Sequence, residues 1–170
     1  MIKKTVSILA VSLLFTLGAQ AEQKPNIQME THSYQLTVVT DKRGKIVKDK
    51  KGKPVKKWLK ATKVVPGTVV KYVDTITNDS DEMIKNAKVS NPINENLIYV
   101  KDSVASKAKF SVMYSVDGGK HYDAPEKLFV LGKDRKKHPA QAKDYNAILF
   151  SVDEVPAHSK VDVAFKVKLK

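Results

Sequence analysis

Residues 64–103, VVPGTVVKYVDTITNDSDEMIKNAKVSNPINENLIYVKDS, decide the fold. The stretch opens on Pro66-Gly67, a turn signal. A run of β-branched and aromatic residues fills 68–77. A polar acidic loop follows at 78–82, a second apolar run at 84–90, an Asn91-Pro92 break and a third run at 97–100. Apolar runs of this kind, bounded by turn residues, are consecutive strands of an all-β domain. Within the longest run, Val70, Tyr72, Asp74 and Ile76 share one face. A carboxylate on a core-type face is expensive without a partner. Asp74 is therefore expected near a strand end or edge, reaching water or a lysine.

The pattern extends in both directions. Upstream, residues 33–40 (SYQLTVVT) alternate with a period of two, which predicts a first strand. Residues 22–32 are polar and poorly patterned and read as a flexible lead-in. Downstream, residues 107–116 alternate with Phe110, Val112, Tyr114 and Val116 on one face. Asp117-Gly118-Gly119 supplies the positive φ of a tight hairpin turn, with residues 120–123 pairing back. A short apolar piece at 127–131 precedes a polar, basic loop at 132–143. Residues 145–152 and 161–169 are the last two strands; Val161, Val163, Phe165, Val167 and Leu169 alternate cleanly. Short strands with turns between them, and no long helix, predict an antiparallel β-sandwich of about 7–9 strands. A small closed barrel is the alternative.

The N-terminus reads as an export signal. Lys3 and Lys4 precede an apolar run over residues 6–17, and Ala19-Gln20-Ala21 is a small-x-small cleavage site. The run is too short to span a bilayer comfortably, which takes about 20 apolar residues. Cleavage after Ala21 takes the 170-residue chain to 149, one domain of residues 33–170 behind its lead-in. That length suffices to bury a real core without disulfides. The chain has no Cys, which excludes a lipoprotein anchor, thiol catalysis and Cys-ligated zinc. No second long apolar run is present, so no integral membrane span is expected.

Charge is concentrated in one place. Residues 41–63 hold eleven Lys/Arg against two Asp, a net of +9 within a chain of formal net charge +13. DKRGKIV at 41–47 is echoed eight residues later by DKKGKPV at 49–55. Each copy has an Asp three residues before a Gly, a turn signature. The segment reads as a long Lys-rich hairpin returning through Pro54 to Ala61. Val55, Trp58, Leu59 and Thr62 also fit a short basic amphipathic helix, but the Pro66-Gly67 break leaves it only about two turns. The candidate polyanion-binding residues are Lys42, Arg43, Lys45, Lys48, Lys50, Lys51, Lys53, Lys56, Lys57, Lys60 and Lys63. Such an array attracts anions electrostatically. Trp58 is its only aromatic and Arg43 its only Arg, and export removes the chain from most nucleic acid, so nucleic acid is not the expected partner. Acidic glycans or lipid head groups of the envelope are. The plainer alternative is a solvated edge whose lysines prevent edge-to-edge pairing.

Catalytic patterns are lacking. His32, His121, His138 and His158 are scattered, with no H-x-x-x-H spacing, nucleophile elbow or phosphate-cradling Gly-rich loop. His121 and Asp123 share a strand face as a base-and-orienter pair, but no nucleophile accompanies them. Residues 78–82 (NDSDE) offer oxygens to calcium without the spacing or central Gly of a twelve-residue loop. The expectation is no enzyme, no metal and no cofactor. A hydrolase or carbohydrate-active domain is the least favoured reading.

Residues 65–72 (VPGTVVKY), Asn78, residues 89–100 (VSNPINENLIYV) and Ser103 resemble the bacterial conserved-repeat family called domain of unknown function eleven. Residues 114–120 (YSVDGGK), Ala124-Pro125 and residues 155–167 (VPAHSKVDVAFKV) are similar to its later blocks. The resemblance covers nearly all of the mature chain. It implies an immunoglobulin-like β-sandwich of the envelope or cell surface, a non-catalytic module with a structural or interaction role. The chain departs from that pattern in having one copy, in Asn91 where Asp is usual, in Asn94 where Pro is usual, and in Asp74 at an apolar position.

Overall fold

The computed structural model describes residues 12–14 and 26–170. Most of the expected export signal, including Ala19 and Ala21, lies outside the described residues, as do residues 22–25. The described strands are β1 (Ser12–Leu14), β2 (Ile27–Val38), β3 (Lys56–Lys60), β4 (Val69–Asn78), β5 (Ile84–Pro92), β6 (Leu97–Tyr99), β7 (Ala105–Ser106), β8 (Phe110–Ser115), β9 (Phe129–Leu131), β10 (Lys137–Pro139), β11 (Ala147–Val155) and β12 (Ser159–Leu169). The helical content among them is one 3-10 turn, Pro125–Lys127.

These strands form an antiparallel β-sandwich. One sheet runs β1-β5-β11-β8; the other runs β3-β2-β4-β12-β6, with β7 also on β12; β9 and β10 make a separate ribbon. No sheet of the described residues closes into a barrel. β4 alternates strictly between buried and half-buried positions, as its period-two sequence requires. Its inward residues Val70, Tyr72 and Ile76 join Val163, Phe165 and Val167 of β12. They meet Ala87, Val89, Ile148, Phe150 and Val152 of the opposite sheet in one core. Phe150 and Phe165 cross the interface with ring centroids 5.6 Å apart. Burying each such side chain stabilises the fold by about 1.5–3 kcal/mol.

Four expectations are corrected. β2 begins at Ile27, not Ser33, so residues 27–32 of the lead-in are strand. Ile27, Met29 and Thr31 alternate with exposed Gln28, Glu30 and His32, and the pairing with β4 runs from Ile27↔Asn78 onward. The polar Thr31 hides that alternation in the sequence. Asp74 lies neither at a strand end nor at an edge. It sits mid-β4 with no exposure, flanked by Thr31 on β2 and Val163 on β12. Two donors meet its carboxylate instead of water: Thr31 Oγ1 donates to Oδ1 and Asn91 Nδ2, from the opposite sheet, donates to Oδ2, each at 2.7 Å. Burial still raises the Asp74 pKa above the ordinary carboxylate range, against those two bonds. The Asp117-Gly118-Gly119 turn is not a tight hairpin. The ladder closes only at the bridge Tyr114↔Asp123, and residues 115–122 form a wider loop. Asp117 Oδ1 organises it by accepting from the N–H groups of Lys120 and His121. Residues 120–123 therefore pair back at Asp123 alone. Finally, the basic loop at 132–143 contains β10, paired to β9.

Asn78 fixes the far end of β4. Its buried Nδ2 donates to the carbonyls of Glu82, Val155 and Pro156 at 2.7, 3.1 and 3.0 Å. Its Oδ1 accepts from Ser80 N–H at 3.1 Å and Ser80 Oγ at 2.6 Å. The β4–β5 loop is thereby tied to the β11–β12 turn.

Candidate functional site

The duplicated basic sequence folds into a duplicated structure. In the first copy, Asp41 N–H donates to Lys45 O at 2.8 Å and Gly44 N–H to Asp41 O at 3.0 Å. In the second, Asp49 N–H donates to Lys53 O and Gly52 N–H to Asp49 O at the same two lengths. Each Asp side chain accepts from the backbone two and four residues on: Arg43 and Lys45 at 2.8 and 2.9 Å, Lys51 and Lys53 at 2.8 and 2.9 Å. Gly44 and Gly52 supply φ of 77° and 74°, where a β-carbon is strained. The Asp-x-x-Gly echo thus encodes two equivalent Asx-type loops.

A ring of backbone bonds holds the loops side by side. Val47 N–H donates to Val39 O, Val55 N–H to Val47 O, and Val39 N–H to Val55 O, at 2.9, 2.8 and 2.8 Å. The three valines recur at the eight-residue interval of the sequence echo and are half-buried. Strand β3 then returns along β2, from Val38↔Lys56 to Tyr34↔Lys60. Pairing with β2 satisfies backbone groups that a two-turn helix would leave open, so the strand forms.

All eleven candidate cations are exposed. Lys42, Arg43 and Lys45 lie on the first loop; Lys50, Lys51 and Lys53 lie at matching positions on the second. Lys48 sits at the bridge between them, opposite Pro54. Lys56 and Lys60 project from one side of β3, Lys57 from the other, and Lys63 follows in the next turn. Among the described residues, the ion pairs involve Lys109, Lys127 and the four histidines, and none of these eleven. The two carboxylates in the segment are engaged by their own loop backbones.

The sheet adds residues that the linear segment does not show. Tyr34 pairs with Lys60 on one side and Lys71 on the other, and Lys71 pairs with Lys166. These four form one row across β3, β2, β4 and β12 on the outer face. Trp58, opposite Leu36, lies diagonally next to that row. Lys71 Nζ is 5.0 Å from the Trp58 ring centroid and 5.3 Å from that of Tyr34; Lys166 Nζ is 5.8 Å from Trp58. The acids of this face, Glu30 and Asp162, flank Thr75 further along the sheet. The alternation of β4 and β12 marks Lys71 and Lys166 as outward-facing in the sequence. Their convergence on Trp58 depends on strand order and register.

The other sequence candidates separate. His121 Nδ1 lies 2.5 Å from Asp117 Oδ2, not beside Asp123, and both are solvent-facing. That contact, with the His121 N–H and the Ser115 hydroxyl, holds Asp117 well below the usual carboxylate range. Asp123 instead faces Lys127 at 3.6 Å. His138 and His158 each contact one carboxylate, Asp134 at 2.9 Å and Asp81 at 2.8 Å. The loop 78–82 spends Asn78 on the fold and Asp81 on His158. Among the described residues, no three His, Cys, Asp or Glu side chains converge as metal ligands. Two shallow surface depressions, of 360 and 510 Å³, flank β7 and the β11–β12 turn. Their polar linings are Lys107, Lys109 and Lys160 beside Asp153, Glu154 and Asp162, with Ser106 and Ser159 and without a histidine. No helix of the described residues is long and apolar enough to cross a membrane. Comparison of the chain with protein-family models, curated proteins and solved structures gives no match.

Proposed function

We propose that the chain is a non-catalytic binding module, exported to the bacterial cell envelope, whose β-sandwich projects a basic double loop toward an anionic envelope component. The observation that carries this reading is the exact-interval duplication. Two Asx-loops of matching backbone geometry each present three cations, and their only carboxylates are turned into the loops. An edge that merely resists aggregation needs a lysine or two, not two rigid cationic lobes. Export is supported by the N-terminal sequence pattern. An interaction role in the envelope is supported by the resemblance of residues 65–167 to the conserved-repeat family.

Retention of residues 22–170 on a heparin column at low ionic strength tests the proposal. Binding is expected there and is expected to vanish near 1 M salt, where screening acts within about 3 Å. Replacing Lys42, Arg43, Lys45, Lys50, Lys51 and Lys53 by Gln should abolish it without changing the circular dichroism spectrum. Failure of the unaltered chain to bind at low salt leaves the loops as a solvated edge.

A further inference from the structure

We infer that the outer face of the six-stranded sheet around Trp58 continues the basic double loop as one track for an extended acidic polysaccharide, with Trp58 as a positioning residue for Lys71 and Lys166. The inference rests on the anionic-partner reading above and names its chemistry. Three features carry it.

The first is charge complementarity. Lys60, Lys71 and Lys166 stand in one cross-strand row, with Tyr34 between the first two. Neighbouring strands are about 4.8 Å apart, so the row presents three ammonium groups over roughly 14 Å. It begins on β3, the strand by which the double loop returns. Neither Lys71 nor Lys166 forms an ion pair with a described carboxylate.

The second is order. A free lysine side chain loses rotamer entropy when it is fixed. Lys71 and Lys166 are already drawn over the Trp58 ring, at 5.0 and 5.8 Å. A cation over an indole face is held there by its attraction to the negative face of the ring. Part of the ordering cost is therefore met before an anion arrives.

The third is shape. Trp58 is half-buried within a strand of the sheet face, not carried on a projecting tip. An aromatic that anchors a protein to a bilayer enters the head-group boundary by about 5–10 Å, which a ring in a flat face cannot do. The loop tips carry Lys42-Arg43-Gly44 and Lys50-Lys51-Gly52, with no apolar side chain; the exposed Ile46 stands at the base of the first loop, bridged to Thr40 behind the charged tip. Nucleic-acid tracks rely on open aromatic faces for base stacking and on Arg for bidentate phosphate contacts. Here lysines occupy the indole and the Tyr34 ring, and the cations of the row are all lysines. Point-charge ammoniums along a flat strip suit the carboxylates of an extended sugar chain.

Isothermal titration of residues 22–170 with polygalacturonate, beside phosphatidylglycerol vesicles and oligo-dT, tests this. The unaltered chain is expected to bind polygalacturonate more tightly than either competitor. Lys71→Gln with Lys166→Gln should weaken binding about tenfold and flatten its salt dependence. Trp58→Ala removes no charge, yet should weaken binding about two- to fivefold through release of the two lysines, and Trp58→Phe should restore part of that. Thermal melts confirm that each variant is folded; Lys71→Gln and Lys166→Gln alter outward side chains and leave the core intact. Loss of binding on neutralising the double loop, with no effect of Lys71, Lys166 or Trp58, overturns the sheet-face track and leaves the anionic-partner reading standing. Preference for vesicles or oligo-dT overturns the polysaccharide assignment. No binding to any polyanion, heparin included, overturns both readings.

Discussion

Replacing Asp74 by Asn tests how a carboxylate persists between the two sheets. In the native chain its oxygens accept from Thr31 Oγ1 and Asn91 Nδ2, both at 2.7 Å, while Asn91 Oδ1 is buried without a partner. Asp74→Asn removes the charge. Asn91 then rotates its amide, so that Oδ1 accepts from the new amide nitrogen while Nδ2 takes the buried position without a partner; one orphan replaces another, and Thr31 still donates to the new Oδ1. Two charge-assisted bonds of about 1.5–3 kcal/mol become two neutral ones of about 0.5–1.5 kcal/mol, a loss near 2–3 kcal/mol. Relief of the desolvated charge opposes that loss, so stability at pH 7 should change by less than about 1.5 kcal/mol. Asp74→Ala behaves differently. It strands the Thr31 hydroxyl and the Asn91 amide in the core at about 1–3 kcal/mol each, so a loss near 4 kcal/mol is expected.

Both variants also differ from the native chain in their response to pH, because neither keeps the carboxyl. Because burial raises the folded pKa of Asp74 above its unfolded value near 4, the folded state holds the proton more tightly. Protons bound in excess by the folded state make stability fall as pH rises through that window. The native chain should therefore lose stability between about pH 4 and the raised pKa, relative to Asp74→Asn, which has no such group. Urea denaturation from pH 4 to pH 8 measures this directly. Parallel profiles for the native chain and Asp74→Asn would refute the desolvation argument. An Asp74→Ala variant as stable as Asp74→Asn would refute the claim that the carboxylate satisfies Thr31 and Asn91.

Asn78→Ala should cost about 2–4 kcal/mol, because three carbonyls lose their buried donor and Ser80 its acceptor; a chemical denaturation curve reads the loss. Gly52→Ala should destabilise the second loop by about 1 kcal/mol through its φ of 74°, with nothing near the added β-carbon, and local hydrogen exchange at Lys51 and Lys53 should rise while the core is unchanged. Asp117 should titrate below the usual carboxylate range, chiefly because of its contact with His121, and return toward that range in His121→Ala. Its depressed pKa favours the folded state above the unfolded value and loses that contribution as pH falls through the folded one; carbon-detected NMR titration of Asp117 checks the direction.

Much of the fold was legible because β-strands write burial into a period of two. The alternation of residues 68–77 and 161–169 returns as the inward faces of β4 and β12, and the Asp-x-x-Gly echo returns as two equal loops. What stayed hidden involved residues whose polarity contradicts their position. Thr31 masked the start of β2 because its hydroxyl serves a buried carboxylate. Asp74 and Asn91 each looked irregular alone, and they prove to be partners across the core.

Local propensity and composition were enough for most of the strands, the sandwich class and the concentration of positive charge; the start of β2, the 115–122 loop and β10 were not legible in that way. Which lysines stand together is a property of the folded sheet. Lys60, Lys71 and Lys166 are distant along the chain and meet at Tyr34 and Trp58 because β3, β2, β4 and β12 lie side by side in one register. Register is set by the whole core closing at once, and a one-residue slip would carry those lysines to the opposite face.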